Sequence, residues 1–389
     1  MIYHITGRGR MDKYLITGGG GFIGTNLVLE LIKGENKVII IDSVEYAAMP
    51  ENFSTLIDFV YYRDKKNEFS IGKEFIIKRK KHLERRIKEK RCNIKNKLEK
   101  FYKSDERLIF IKGNLLDSSL IDTLTDGIDY IVHLAAETHV DRSILFPERF
   151  IFSDIVGTFV LYNTIKEKKF KKIVHISTDE IYGPAINRNF KEEDLLMPTN
   201  PYSASKASAD RIAYSYYKMF HLPIVIARPS NNYGPYQFPE KFIPLITIKA
   251  LRDEEMPIYG DGRQRRDWLF VKDTVYGIKI LLEKGIPGEV YNISGRSEIE
   301  NIDVARKVLK ILGKPEKLIK FIKDRPGHDI RYGMEDNKIR EIGFKNNTEF
   351  DEGLNYTVNW YKNNREWWEK ILRENKDFKE FYDKWYNKR

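Results

Sequence analysis

Two adjacent carboxylates, Asp179 and Glu180, come after the apolar run KIVHIS (172–177) and directly after Thr178. The carboxyl ends of parallel strands border the crevice where ligands bind, so we expect this pair to face a cavity. If one carboxyl group is protonated and the other ionised, they can act as acid and base when water is eliminated beside an oxidised carbon. The alternative is structural, with Asp179 capping a turn and Glu180 solvated.

A tyrosine and a lysine, Tyr202 and Lys206, are four residues apart in a segment that begins at Pro201. Proline suits the first turn of a helix, and this spacing puts both side chains on one helix face. Because a nearby ammonium favours the phenolate, Tyr202 is a candidate to exchange a proton with a substrate hydroxyl. Lys206 could also hold the ribose of a nicotinamide. A tyrosine and a lysine at this spacing are common by chance in a chain rich in both residues. The pair is a candidate site because it follows the fifth predicted strand of a dinucleotide-binding fold.

The glycine-rich segment TGGGGFIG covers residues 17–24. Gly18, Gly21 and Gly24 are spaced so that the chain can turn tightly and bring backbone N–H groups to a pyrophosphate at a helix N-terminus. The next apolar run ends in Asp42, where a carboxylate can accept hydrogen bonds from both ribose hydroxyls of an adenosine. No arginine follows directly, so the pattern favours NAD over NADP. The alternative is a glycine-rich turn without a ligand.

Short β-branched runs alternate with helical patterns from residue 13 onward: KYLIT, KVIIID, LIFIKG, YIVHLA, KIVHIST and PIVIAR. This alternation predicts an α/β fold, a Rossmann-type doubly wound parallel sheet. After Arg228 the rhythm loosens, which indicates a smaller C-terminal substrate-binding lobe. The run EVYNISG (289–295) is expected to return to the main sheet, so the lobes should be interwoven in sequence.

The predicted division of the chain has three parts. An NAD-binding Rossmann domain covers 12–228, a substrate-binding lobe covers 229–345, and a C-terminal helical extension covers 346–389. The extension contains the stretch REWWEKILRENKDFKEFYDKWYNKR, whose aromatic residues recur at helical spacing. We interpret it as a helix that packs on the protein rather than as a surface that stacks on nucleic-acid bases, since no single-strand-binding fold surrounds it.

The positive charge of the chain is concentrated in one segment. The formal net charge is +11, and residues 63–107 alone hold 18 Lys+Arg against 8 Asp+Glu. This basic insertion lies between the second and third predicted strands. Its apolar residues follow a narrow helical stripe that could pack on the protein's own surface or on a partner subunit. The alternative is contact with an acidic surface, so its partner stays open. The stripe consists of Ile76, Leu83, Ile87, Ile94, Leu98 and Phe101.

Composition excludes several classes of protein. The single cysteine, Cys92, excludes an intramolecular disulfide framework and a cysteine-ligated metal cluster within one chain, and no metal is expected. No stretch approaches the roughly 18 apolar residues of a membrane span, and the N-terminus lacks the apolar core of a signal peptide. The sequence therefore predicts a cytoplasmic protein, and no nucleic acid is expected as a partner because the basicity is local.

Together these motifs resemble the extended short-chain dehydrogenase/reductase superfamily, and within it the dTDP-glucose 4,6-dehydratase family. The resemblance is carried by TGGGGFIG, HLAAETHVDRSI, STDEIYG, YSASK, RPSNNYGPYQFPEKFIPL, PIYGDGRQRRDW and DRPGHD, and covers nearly everything from residue 12 to about 335 except the basic insertion. It implies a lyase of deoxysugar biosynthesis that uses NAD, acts on a nucleotide sugar and forms a homodimer through helices near 148–168 and 202–220. The alternatives are a UDP-glucose 4,6-dehydratase, a nucleotide-sugar 4-epimerase, or an NAD-binding scaffold without turnover.

The resemblance also implies an internal redox cycle with a role for each site residue. Tyr202, helped by Thr178 and Lys206, would deprotonate the glucose 4-hydroxyl while C4 gives a hydride to NAD. Glu180 would then remove the C5 proton as Asp179 protonates the departing 6-hydroxyl, and the hydride would return to C6. The product would be a 4-keto-6-deoxy sugar.

Carried to matching positions, the resemblance gives two sets of binding residues. The expected cofactor-binding residues are Gly18, Gly21, Phe22, Ile23, Gly24, Asp42, Asn114, Leu115, Leu134, Ala135, Ala136, Ser153, Tyr202, Lys206 and Asn232. The expected substrate-binding residues are Thr138, Thr178, Asn231, Lys241, Phe242, Pro257, Ile258, Tyr259, Arg266, Asn292, Arg325 and His328.

Two positions depart from the family pattern. Asn114 stands where an aspartate is usual near the adenine amino group, and its carbonyl could still accept that hydrogen bond. Asp154 stands where an asparagine is usual, which changes the hydrogen bonding expected there.

Overall fold

The structure, a computed structural model, describes residues 11–53, 56, 94–324 and 327–385. Within these residues seven strands form one sheet in the order β10-β6-β5-β4-β1-β2-β3, and every neighbouring pair is parallel. This confirms the predicted α/β class with a doubly wound parallel sheet. The strands are β1 Lys13–Thr17, β2 Lys37–Asp42, β3 Leu108–Lys112, β4 Tyr130–His133, β5 Lys172–Ile176, β6 Ile224–Pro229 and β10 Val290–Ile293.

Helices cover both faces of this sheet and continue into the second lobe. A π-helical segment, Ile151–Val156, connects two of them, and a 3₁₀ turn, Asp179–Tyr182, follows β5. The helices are α1 Phe22–Leu31, α2 with its described part at 94–103, α3 Ser118–Leu124, α4 Val140–Leu145, α5 Pro147–Phe150, α6 Gly157–Ile165, α7 Pro201–Phe220, α8 Phe242–Leu251, α9 Val271–Lys284, α10 Asn301–Leu312, α11 Asn337–Glu341, α12 Phe350–Asn363, α13 Arg365–Glu374 and α14 Lys376–Trp385.

The apolar runs are buried on both sides because alternate side chains of a strand enter different clusters. Ile16 and Ile40 face α1 and α9, whereas Leu15 and Ile39 face α2, α3, α6 and α7. All four side chains are fully buried. The continuous β-branched runs in the sequence therefore correspond to strands covered by helices on both faces.

The second lobe is built around two small sheets and three helices. β7 Asn231–Tyr233, β9 Arg265–Phe270 and β11 Glu298–Glu300 form one sheet, and β8 Met256–Tyr259 pairs with β12 Ile319–Ile322 in the other. Helices α8, α10 and α12 pack together around the buried side chains of this lobe. Strand β10 pairs with β6 of the main sheet, so the chain crosses back between the lobes after α9.

The described part of the basic insertion packs on the protein's own core. Ile94, Leu98 and Phe101 are buried on α2 beside β3. The first half of the predicted stripe, with Ile76, Leu83 and Ile87, lies outside the described residues.

No helix in the described ranges is long and apolar enough to cross a membrane.

Two histidines are buried at the centre of the sheet. His133 bonds through Nδ1 to Thr17 Oγ1 at 2.7 Å and through Nε2 to Thr158 Oγ1 at 2.9 Å. His175 bonds through Nδ1 to Tyr162 Oη at 3.0 Å, and its Nε2 has no hydrogen-bond partner among the described residues. Burial lowers the pKa of His175 to about 3, so this imidazole is neutral in the folded protein.

We expect His175 to make stability fall in mild acid. The unfolded chain binds a proton at this residue below a pKa of about 6.5, whereas the folded chain does so only near 3. Between pH 7 and pH 5 the free energy of unfolding should therefore drop by about 2 kcal/mol from this group. Denaturant unfolding of His175→Asn at both pH values should show a shallower drop than the wild type.

His221→Asn is the matched control, because His221 is exposed in a left-handed conformation that asparagine tolerates. This variant should keep the wild-type pH dependence. An equal drop in the wild type and in His175→Asn would contradict the assignment.

Candidate active site

One cavity of about 860 Å³ lies between the carboxyl ends of the main strands and the second lobe. All predicted cofactor-binding residues line it: Gly18, Gly21, Phe22, Ile23, Gly24, Asp42, Asn114, Leu115, Leu134, Ala135, Ala136, Ser153, Tyr202, Lys206 and Asn232. Of the predicted substrate-binding residues, Thr138, Thr178, Asn231, Lys241, Phe242, Pro257, Tyr259, Arg266 and His328 line it too. The parallel sheet thus gathers residues from distant parts of the chain at one edge.

The glycine-rich turn forms a close cradle at the start of α1. Gly18 has a φ of +70°, and a Cβ there would lie 2.7 Å from the Ala135 Cα. A Cβ on Gly24 would lie 2.4 Å from the Gly18 carbonyl oxygen. Gly21 is the N-cap residue of α1, and its backbone is extended. Glycine is therefore required for the turn, and the cavity end of α1 can receive an anionic group such as a pyrophosphate.

Asp42 is tied to this turn. Its carboxylate accepts hydrogen bonds from the Gly20 N–H at 2.9 Å and the Val44 N–H at 2.8 Å. The carboxylate thus stands at the end of β2 beside the cradle, where a ribose could reach it. The glycine cradle and the carboxylate fit the adenosine diphosphate half of NAD.

The stretch STDEIYG turns sharply after β5. The Thr178 hydroxyl caps the 3₁₀ turn by accepting from the Glu180 N–H at 3.4 Å, and it donates to Asp179 Oδ1 at 3.1 Å. Glu180 lines the cavity and accepts from the Tyr332 hydroxyl at 3.4 Å. Asp179 is only 3% exposed and is not among the cavity-lining side chains. The two carboxyl groups therefore have different surroundings.

Burial, and then the negative charge of Glu180, raise the pKa of Asp179 well above its ordinary value. Its Oδ2 has no hydrogen-bond partner among the described residues. A raised pKa favours the protonated carboxyl group, which is the state that a general acid needs.

Tyr202 and Lys206 share one face of α7, as their spacing predicts. Asn200 and Ser203 form a capping box at the start of the helix, with Pro201 in its first turn. The Lys206 ammonium donates to the Ile176 carbonyl at 2.7 Å, which places it at the end of β5. Both side chains line the cavity beside Thr178.

The pKa of Tyr202 differs in direction from the expectation. Burial, and then the charges of Glu180 and Asp154, raise it well above the ordinary value, while the Thr178 hydroxyl lowers it. Asp154 is buried on the π-helical segment and accepts from the Glu137 N–H at 2.7 Å and the Ser205 hydroxyl at 2.6 Å. Burial raises the pKa of Asp154 to about 6 against the charge of Lys206. The departure from asparagine thus adds a third carboxyl group near the tyrosine.

A buried ion pair fixes the orientation of α7. Arg228, at the end of β6, bonds through Nε to Asp210 Oδ2 at 2.9 Å, one helical turn beyond Lys206. Against the effect of burial, the Arg228 charge lowers the pKa of Asp210 to about 2. Arg228 also donates to the Tyr182 hydroxyl at 2.6 Å. The same guanidinium therefore holds both α7 and the turn that carries the carboxyl pair.

Cationic side chains gather at the second-lobe end of the cavity. Lys241 donates to Thr138 Oγ1 at 2.9 Å, so two predicted substrate residues from different lobes are in contact. The Arg266 guanidinium lies 4.4 Å from the Tyr332 ring centroid and donates to the Asp329 carbonyl at 3.0 Å. This end of the cavity suits a ligand with negative charge.

Three predicted substrate residues are not placed in the cavity. Side chains alternate along β8, so Pro257 and Tyr259 face the cavity whereas Ile258 is 1% exposed in the core of the second lobe. Asn292 is fully buried, and its side chain bonds to the Tyr182 hydroxyl at 2.8 Å and the Glu335 carbonyl at 2.9 Å. The substrate-binding roles of these two residues stay predictions, and the described contacts of Asn292 support the turn after β5. Arg325 lies outside the described residues.

Other charged and aromatic side chains line the cavity without having been predicted: Glu137, His139, Asp141, Glu240 and Tyr332. The first three belong to the motif HLAAETHVDRSI, from which only Thr138 among the polar side chains had been taken. The signal was present in that motif, because polar residues follow β4 within a few positions, where the strand opens into the crevice.

The chain is similar to known proteins in sequence and in fold. The family model described as GDP-mannose 4,6 dehydratase matches residues 73–357. A curated dTDP-glucose 4,6-dehydratase from an Actinoplanes species is 37% identical over 364 residues, 92% of this chain and 99% of the relative. One from Escherichia coli is 34% identical over 394 residues, 92% of this chain and 96% of the relative.

A solved dTDP-glucose 4,6-dehydratase from Streptomyces venezuelae, with NAD and dTDP bound, matches with a TM-score of 0.78 and 34% identity, covering 92% of this chain and 99% of that one. A UDP-glucuronic acid 4-epimerase from Bacillus cereus matches at 0.74 and 27%, covering 90% and 99%. Fold and relatives define the class as a Rossmann-type nucleotide-sugar dehydratase. The chain belongs to the dTDP-glucose 4,6-dehydratase family.

We expect Gly24→Ala to remove bound NAD. Its Cβ would meet the Gly18 carbonyl at 2.4 Å, so the cradle would have to open. The NAD extracted per purified chain should fall at least about tenfold relative to the wild type, which corresponds to a loss of at least about 1.4 kcal/mol of binding free energy. Thermal unfolding of the same sample checks that the chain is folded.

Gly34→Ala is the control, because a Cβ there would meet only the flexible Asn36 amide, at 3.2 Å. This variant should retain NAD like the wild type. Full NAD content in Gly24→Ala would contradict the role of the cradle.

Proposed function

We propose that this protein dehydrates a nucleoside-diphosphate glucose, dTDP-glucose, to the 4-keto-6-deoxy sugar. The observation that carries the proposal is the carboxyl pair, since Glu180 faces the cavity beside Tyr202 and Asp179, whose pKa burial raises, lies next to it outside the cavity lining. The relatives named dTDP-glucose 4,6-dehydratase support the same reaction.

The first proton transfer belongs to Tyr202. Its phenolate takes the proton of the sugar 4-hydroxyl and becomes the neutral phenol, with Thr178 as hydrogen-bond partner and Lys206 as the nearby cation. NAD, when bound, supplies the hydride acceptor for C4, the hydride donor for C6 and a positive charge on its nicotinamide ring. The pKa of Tyr202 is raised by burial and by three carboxyl groups, so a cation is needed close to the phenol to make it a base.

The elimination of water belongs to the carboxyl pair. A 4-keto group acidifies the C5 hydrogen, and Glu180 is placed to remove it. Asp179 donates its proton to the departing 6-hydroxyl, so one base and one acid act on neighbouring carbons. Asp179 loses one proton and Glu180 gains one, so the net charge of the pair is the same before and after the elimination.

The cationic end of the cavity binds the diphosphate in this proposal. Lys241 and Arg266 line it, and Arg325 is proposed from the family resemblance alone. Burial lowers the pKa of Lys241, whereas the charges of Glu240 and Glu180 raise it, so an anionic ligand would further favour the charged ammonium.

We further propose a homodimer through α6, α7 and the π-helical segment between α5 and α6. This surface leaves large apolar side chains exposed, and α6 and α7 pack side by side beneath it. Ile151 is 51% exposed, Phe159 46% and Met219 71%.

A cytoplasmic location stays a prediction of the sequence.

The reaction is tested by incubating the purified protein with dTDP-glucose or UDP-glucose and analysing the products by mass. We expect loss of one water from dTDP-glucose and faster turnover of it than of UDP-glucose. Isomeric products of unchanged mass would support an epimerase instead and defeat the proposal.

The variant Glu180→Gln tests the base. In deuterated solvent it should slow incorporation of deuterium at C5 by about 10²-fold or more, since a positioned base contributes 10²- to 10⁴-fold. Oxidation at C4, followed by the absorbance of the reduced cofactor, should stay measurable. Tyr202→Phe should lose both signals, and Tyr214→Phe, a tyrosine of the same helix outside the cavity, should lose neither. Normal C5 exchange in Glu180→Gln would overturn the assignment.

A further inference from the structure

The last described helix, α14, packs against the wall of the cavity. The Trp385 indole Nε1 donates to the Tyr259 hydroxyl at 2.6 Å. Phe381, one helical turn earlier, lies edge-on to the His139 ring with centroids 5.3 Å apart. Both Trp385 and Phe381 are buried. Tyr259 and His139 line the cavity, so α14 directly contacts the back of two lining residues.

Tyr259 is held between the two lobes. Its hydroxyl donates to Asp141 Oδ2 at 2.9 Å, and Asp141 belongs to α4 of the Rossmann domain. Its ring lies edge-on to His328, with centroids 5.8 Å apart. The Tyr259 hydroxyl thus accepts from α14 and donates to α4, which fixes the ring at the cationic end of the cavity.

Arg142 anchors the same helix at a second point. Its guanidinium lies 3.6 Å from the Tyr46 ring centroid and 5.3 Å from that of Phe381. It also donates to the Asp377 carbonyl at 3.5 Å and lies 3.8 Å from the Glu240 carboxylate. The guanidinium is buried. It contacts α14 through Phe381 and Asp377 and the second lobe through Glu240, so it connects this helix to both lobes.

We propose that α14 is part of the nucleotide-binding wall and that Trp385 is a positioning residue, which acts on the ligand through Tyr259. The identity of the ligand, a thymidine diphosphate sugar, rests on the proposed function. Trp385 itself does not line the cavity, so its effect must appear in binding rather than in the chemical step.

The expected effect follows from the strength of one hydrogen bond. Trp385→Phe keeps an aromatic side chain but removes the pyrrole part of the indole with its N–H donor, so the Tyr259 hydroxyl loses one of its two partners and keeps Asp141. We expect the Kd for dTDP to rise about 3- to 10-fold, the loss typical of one hydrogen bond. The KM for dTDP-glucose should rise to the same extent while kcat stays within about twofold.

Trp367→Phe is the matched control. Its Nε1 also donates a hydrogen bond from the C-terminal helices, to Asn52 Oδ1 at 2.8 Å, but neither residue lines the cavity. This variant should bind dTDP like the wild type. Calorimetry with dTDP on the NAD-containing protein gives Kd for all three proteins, and thermal unfolding checks that each is folded.

A second measurement uses the wild type alone, so that it stands if Trp385→Phe fails to fold. Hydrogen exchange of backbone amides with and without dTDP should show slower exchange in α14 when dTDP is bound. The helix α3, which does not contact this wall, should be unchanged. Unchanged exchange in α14 at saturating dTDP would overturn the inference.

The outcomes separate this inference from the proposed function. Weaker dTDP binding by Trp385→Phe supports the inference even if dTDP-glucose is not dehydrated, which would defeat only the proposed function. Dehydration of dTDP-glucose by the wild type, with equal Kd in Trp385→Phe, would overturn the inference and leave the function intact. Absence of dTDP binding in the wild type would overturn the inference.

Discussion

The structure depends on placing two carboxyl groups side by side at the end of one buried strand while giving them different environments. Asp179 is buried behind the cavity wall, and Glu180 faces the cavity. Burial, and then the negative charge of Glu180, raise the pKa of Asp179 and so favour its protonated form. The result is a proton donor beside a proton acceptor, which is the arrangement that elimination of water requires.

This arrangement needs rigid support because a buried carboxyl group such as that of Asp179 costs free energy to maintain. The Arg228 guanidinium supplies part of it by bonding both Asp210 on α7 and Tyr182 in the turn after β5. Asn292 extends the same network from β10, the strand by which the chain returns to the main sheet. The lobes are thereby joined at the point where the chemistry is proposed.

Much of the fold could be predicted from the sequence. The β-branched runs correspond to buried parallel strands, and the glycine spacing corresponds to a turn in which Gly18 and Gly24 have no room for a Cβ. Local patterns succeed there because a strand buried on both faces carries a continuous apolar run and a tight turn carries glycines, whichever part of the chain packs against them.

Other features depended on contacts across long separations. The pKa of Tyr202 is raised rather than lowered, because burial and the carboxyl group of Asp154 outweigh what the helical neighbour suggests. Ile258 and Asn292 were assigned by position in a motif, whereas alternation along β8 and the network behind β5 decide where they point. The contact of Trp385 with Tyr259 spans 126 residues, and no local pattern could show it.

The protonation state of Asp179 tests the account most directly. Carbon-13 NMR of protein labelled at the aspartate carboxyl carbons measures this protonation state. The Asp179 signal is assigned by its loss in Asp179→Asn. The account predicts the chemical shift of a protonated acid at pH 7, with titration well above the ordinary value of 3.8. A carboxylate that is ionised at pH 7 and titrates near 4 would contradict it.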